Sequence, residues 1–139
     1  MADTTGVSLP APIIPEPRKT GFGPSYEWIV DKLGTLRSGS EEFLRYELDT
    51  TWRTAVYQQR VESMWPEMEA EETAEIDKLL GRVTKPLNRE ADLEAFVMEH
   101  GAAKEDELLQ LFQKRCLRHE ALFEPVAREL KGVKTQLLR

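Results

Sequence analysis

From Leu109 onward the apolar positions keep one rhythm. Leu109, Phe112, Cys116, His119, Phe123, Val126, Leu130, Val133 and Leu137 stand alternately three and four residues apart. A helix puts residues so spaced on one face, whereas a strand sends neighbours to opposite faces. Held for about four heptads, the pattern predicts helix packed on helix at a shallow crossing angle. The same face could join copies of the chain into a homo-oligomer. Pro125 falls inside the run and predicts either a kink or a second helix that begins there.

The preceding chain reads in the same terms. "SYEWIVDKLGTLRSG" predicts a short helix with Ser25 as N-cap, and Ser38-Gly39 ends it. Ser40 then caps a longer helix reaching about Trp65. Leu44, Leu48, Trp52, Ala55 and Val56 line one face of it, and Phe43, Tyr46, Tyr57, Val61 and Met64 widen that face. Pro66 interrupts this helix and opens another, with Glu67, Glu69, Glu71 and Glu72 in its first turns and Gly81 as C-cap. Asn88 caps a further helix carrying Leu93, Phe96 and Val97, which stops at Gly101. No stretch alternates with period two. The expected fold is therefore all-α: a bundle of five or six helices over residues 25–139, ending in a long heptad-patterned helix.

Residues 1–24 form a different kind of segment. "LPAPIIPEPRKTGFGP", from Leu9 to Pro24, holds five prolines and two glycines, which deny it a helix or a central strand. It nevertheless carries Leu9, Ile13, Ile14 and Phe22. A proline-stiffened chain is already extended and loses little entropy on docking, so these side chains are candidates to fill pockets on another protein.

Composition bounds the function. The 139 residues suffice for one domain with a real core. A net charge of −6 argues against a duplex-binding surface, which needs clustered Lys and Arg. A single cysteine precludes an internal disulfide and fits a reducing compartment. Neither a membrane span nor a secretory signal is apparent, so the expected location is the cytoplasm, with no membrane or nucleic-acid partner.

Catalytic signatures are missing. There is no phosphate-binding loop, dinucleotide fingerprint or Gly-x-Ser-x-Gly elbow, and no cofactor is implied. Cys116 and His119 share a helix face and could hold a metal with His100. That would make the chain a metal-dependent helical enzyme. Both residues also sit in the heptad seam, where a thiol packs as a small apolar group. The acidic run from Glu62 to Asp77 reads as a solvated face. The basic run Lys114, Arg115, Arg118, Arg128, Lys131, Lys134 and Arg139 is expected to lie against an acidic helix of the same bundle. Trp28, Trp52 and Trp65 are many large rings for this size, and Trp28 and Trp65 join the candidate partner-binding residues.

From about Leu44 to Pro125 the chain resembles a family of small bacterial helical proteins of unassigned function. These are encoded beside aminoglycoside-phosphotransferase-like hydroxyacyl-CoA kinases and acyl-CoA dehydrogenases. The matched features are Leu44-Arg45-Tyr46, Pro66 followed by acidic residues, Leu79-Leu80-Gly81, Leu87-Asn88, Leu108-Leu109, and Leu117 running to Pro125. The N-terminal arm and the basic stretch after Pro125 depart from the pattern. The resemblance implies an accessory subunit of such a kinase and transfers no catalytic residue. The residues themselves point to a non-catalytic interaction subunit with a larger protein partner. A structural component of a virion or other large complex is the second reading, and the metal-dependent enzyme the third.

Overall fold

A computed structural model describes Gly6 and residues 9–127 of the chain. Among these residues every regular element is helical. Four α-helices follow one another: α1 (Gly23–Ser38), α2 (Glu42–Leu80), α3 (Arg89–His100) and α4 (Glu105–Phe123). Short 3₁₀ turns follow α3 at Gly101–Ala103 and α4 at Glu124–Val126. Among the described residues the all-α expectation holds, with four α-helices; most of the further helix expected from Pro125 lies outside them.

The lower count has one main cause. Pro66 neither ends a helix nor starts one, because α2 runs through it for 39 residues. An interior proline offers no N–H and its ring crowds the carbonyls one turn earlier. Ser63 O is one of those carbonyls, and it accepts the Arg18 N–H at 3.3 Å from the N-terminal segment. Thr20 Oγ1 donates to the Glu62 side chain beside it. The carbonyl that loses its helical donor to the proline is that of Glu62, four residues back.

The start and stop signals divide in the same way. Gly81 ends α2 with φ of +70°, a conformation that side-chain-bearing residues adopt at a cost. Asn88 occupies the N-cap of α3 without a side-chain capping bond. α1 begins at Gly23, ahead of Ser25, with Pro24 in its first turn. Ser40 does not cap α2 with its hydroxyl, which instead donates to Leu36 O at the end of α1 at 2.6 Å.

The chain divides into two compact units. One holds Glu67–His119 with, of the described N-terminal residues, Gly6 and 9–14, and its core is Ile76, Leu93, Leu108 and Leu111. Leu79, Leu80, Phe96 and Val97 pack around that cluster. The loop after α2 is pinned, as Asp77 Oδ1 accepts both the N–H and the hydroxyl of Thr84, at 2.9 and 2.6 Å. Arg82 pairs with Asp92 at 2.9 Å.

The other unit holds Pro15–Pro66 and, of the described residues, 120–127. Here α1 lies against α2 through Trp52. A Cβ added at Gly34 would stand 3.4 Å from the indole nitrogen, so the glycine permits a close approach. The Arg37 guanidinium stacks 3.9 Å above the same ring and bonds Asp49 at 2.8 Å, while Arg53 holds Asp49 from the other side at 2.7 Å. Burial pushes the Asp49 carboxyl up, but Arg53 and Arg37 together bring it below its ordinary value. Tyr57 meets Phe123 edge to face at 6.1 Å.

Candidate functional site

The expected seam of α4 has the right spacing and the wrong phase. The buried positions on α4 and its following turn are Leu108, Leu111, Arg118, Leu122 and Pro125, with Arg115 half-buried between them. That run is also spaced three and four apart, but each member stands one residue before the expected one. Phe112, Cys116, His119 and Phe123 are exposed instead. Leu130, Val133 and Leu137 lie outside the described residues.

The shift by one residue puts cations into the interior. Arg118 is 1% exposed and donates through Nη1 to Glu75 Oε2 at 2.8 Å. Its Nη2 stands 3.5 Å from Glu71. Lys114 takes the other Glu75 oxygen at 2.9 Å. Arg115 reaches Glu72 at 3.1 Å and grips Glu90 with two nitrogens, at 2.8 and 3.2 Å. The basic face of α4 thus meets the acidic face of α2, as the charge pattern predicts. All of these residues belong to the Glu67–His119 unit.

This ladder is structural in its chemistry. Burial pushes the Glu75 carboxyl up, yet the bonds and charges of Arg118 and Lys114 outweigh it and hold the group below 4.5, its ordinary value. Asp77 is also held low, by its two bonds from Thr84. Neither carboxylate is poised to exchange a proton near neutrality. Glu72 Oε2 and Arg118 Nε are buried without a hydrogen-bond partner, a desolvation cost that the surrounding pairs offset.

A pH dependence follows with a definite sign. Both carboxylates have folded-state values below their unfolded ones, so their contribution is complete above the ordinary carboxylate range. It is lost as pH falls through the depressed values. The urea midpoint should therefore drop as pH falls below about 4.5, and Glu75→Gln should flatten that slope. An unchanged slope in the variant would remove Glu75 from the account.

The metal candidates are not assembled. Among the described residues no group of three His, Cys, Asp or Glu side chains is arranged to hold an ion. Cys116 is exposed on α4. His100 leans on Phe96 with ring centres 4.9 Å apart and stands 3.7 Å from Glu99. A depression of about 590 Å³ at the α1–α2 turn is open to solvent and lined by Arg37, Ser38, Glu42, Arg45, Tyr46 and Asp49. Arg37 and Asp49 already pair with one another. No helix among the described residues is long and apolar enough to cross a membrane.

What the structure does display is apolar surface. α1 has no buried residue. Tyr26, Val30 and Leu33 are half-buried on one side, whereas Trp28, Ile29 and Leu36 are exposed, Trp28 to 66%. In the N-terminal segment, residues 9–20 have neither helix nor strand. Ile13 is 78% exposed, Ile14 and Phe22 are also exposed, and Leu9 is half-buried. Pro15 is buried, so part of this segment is fixed on its own unit. Trp65 is half-buried. Sequence reasoning missed Phe43, Leu44 and Tyr46, expected in the core and exposed at the start of α2. Their signal is Glu41-Glu42 and Arg45, charges that crowd the same turns. Comparisons with protein-family models, curated proteins and solved structures return no match for this chain.

Proposed function

We propose that the protein is a non-catalytic, cytoplasmic interaction subunit. It binds a larger protein through the outward face of α1 and the exposed residues of an extended proline-rich arm. The observation that carries this reading is α1 itself. One side of this 16-residue helix is half-buried through Tyr26, Val30 and Leu33, and the other side is not. It leaves Trp28, Ile29 and Leu36 uncovered, together with Phe22 just before it and Ile13 and Ile14 in the arm. Exposed tryptophan and its aliphatic neighbours form the sort of anchor that dominates protein interfaces. An aminoglycoside-phosphotransferase-like hydroxyacyl-CoA kinase is the partner implied by the sequence resemblance.

The test is quantitative co-purification with the tagged full chain. Trp28→Asp and Ile13→Asp should each lower partner recovery at least tenfold while leaving helical circular dichroism unchanged. Deleting residues 1–24 is the wrong variant, since it also removes buried Pro15 and the Arg18 and Thr20 bonds to α2. Full recovery by both point variants would sink the reading.

A further inference from the structure

The loop between α2 and α3 is held in place from both sides. The Arg82 N–H donates to Asp77 O at 3.2 Å, and Asp77 Oδ1 takes both donors of Thr84. Arg89 Nε donates to Thr84 Oγ1 at 3.2 Å, and Arg82 pairs with Asp92. The Asn88 N–H donates to Lys85 O at 2.9 Å and closes a tight turn with Pro86 and Leu87 at its corner. All of these residues belong to the Glu67–His119 unit.

On this fixed loop two apolar side chains stand in water. Val83 is 84% exposed and Leu87 99%. Around them the charge has one sign. From Lys78 to Arg89 the chain carries Lys78, Arg82, Lys85 and Arg89 and no carboxylate. The nearest acids in sequence are engaged in the fold, Asp77 with Thr84, Asp92 with Arg82 and Glu90 with Arg115. Lys78 and Lys85 are exposed and make no ion pair among the described residues.

A protein pocket has to match the shape of such protruding side chains. A bilayer takes them into its headgroup–acyl boundary without a preformed hole, while lysines stay among the headgroups. Anionic headgroups also supply the charge that complements Lys78 and Lys85. A loop already pinned loses little freedom on docking. The net charge of −6 does not oppose the contact, because carboxylates farther away than about 8 Å are screened at physiological salt.

We propose that the α2–α3 loop docks on an anionic bilayer surface, inserting Val83 and Leu87 and setting Lys78 and Lys85 among acidic headgroups. The contact is with the surface of the bilayer and needs no spanning helix. This inference does not depend on the partner reading, which concerns α1 and the arm.

Co-sedimentation of the purified full chain with vesicles tests it. One set holds equal parts of phosphatidylserine and phosphatidylcholine, the other phosphatidylcholine alone. The wild-type chain should sediment with the mixed vesicles and release as salt is raised, and it should bind the neutral ones far less. Leu87→Asp should lower its partition onto mixed vesicles by about tenfold, since a fully exposed leucine loses its insertion and nothing in the fold. Lys85→Glu should also weaken it. Met98→Asp, at a position 84% exposed outside the loop, should sediment as the wild type does. A wild-type chain that stays in solution with mixed vesicles would overturn the proposal, and so would a Leu87→Asp chain that binds them undiminished. Loss of a protein partner by Leu87→Asp, with no vesicle binding by the wild type, would assign the loop to a protein pocket instead and equally overturn it.

Discussion

Arg118→Ala should be among the most destabilising single substitutions in the molecule, at about 3 kcal/mol. The side chain is 1% exposed and holds Glu75 and Glu71 across from α4. Truncating it leaves Glu75 half-buried with only Lys114. Removing one partner of a buried pair typically costs about 3–5 kcal/mol. The remaining Lys114 bond places this site at the lower end. The melting temperature of the chain should fall by roughly 10 °C. Replacing both partners, as Arg118→Met with Glu75→Leu, should recover most of the loss, because apolar side chains of similar volume need no counter-charge. Arg118→Met alone should stay less stable than the double variant, because it leaves Glu75 without that counter-charge; equal stability of the two would show that Arg118 contributes shape rather than charge pairing.

The second large effect separates two neighbouring residues. Leu111→Ala should cost about 2–5 kcal/mol, as expected for a leucine within the Ile76–Leu93–Leu108 cluster. Phe112→Ala, one position along, should cost less than about 1 kcal/mol, because the ring is 39% exposed. Denaturant midpoints of the two variants check the phase of α4 directly. Had the apolar seam faced inward, the order would be reversed.

That contrast also shows how far the sequence could be read. Spacing alone predicted the helix that α4 forms up to Phe123, and it could not choose between two runs with the same rhythm. The run beginning at Leu109 is the more apolar. The run beginning at Leu108 includes Arg115 and Arg118, which rank as surface residues until an acidic helix is placed opposite them. Their hydrocarbon stems then pack while their guanidinium groups pair. The acid–base match between α2 and α4 was legible as net charge along each helix, but its depth of burial was not. Pro66 was misread for a different reason. A proline is compatible both with a helix start and with a helix interior, and the local sequence does not choose between them. Gly81 was read correctly because a positive φ after a helix is a local requirement. Exposure of Trp28 among the aromatic residues could not be read from periodicity, since α1 is apolar on both sides.

The functional account stands on contact through α1 and the arm. The most direct measurement is the mass of the complex recovered with the tagged full chain, by light scattering after size exclusion. Wild-type chain and the combined Ile13→Asp, Trp28→Asp variant are compared side by side. The account predicts a partner present in a fixed ratio to the wild-type chain and at least tenfold depleted from the variant, with both chains equally helical. A wild-type chain that elutes alone and turns over a substrate unaided would contradict it, as would a variant that carries as much partner as the wild type.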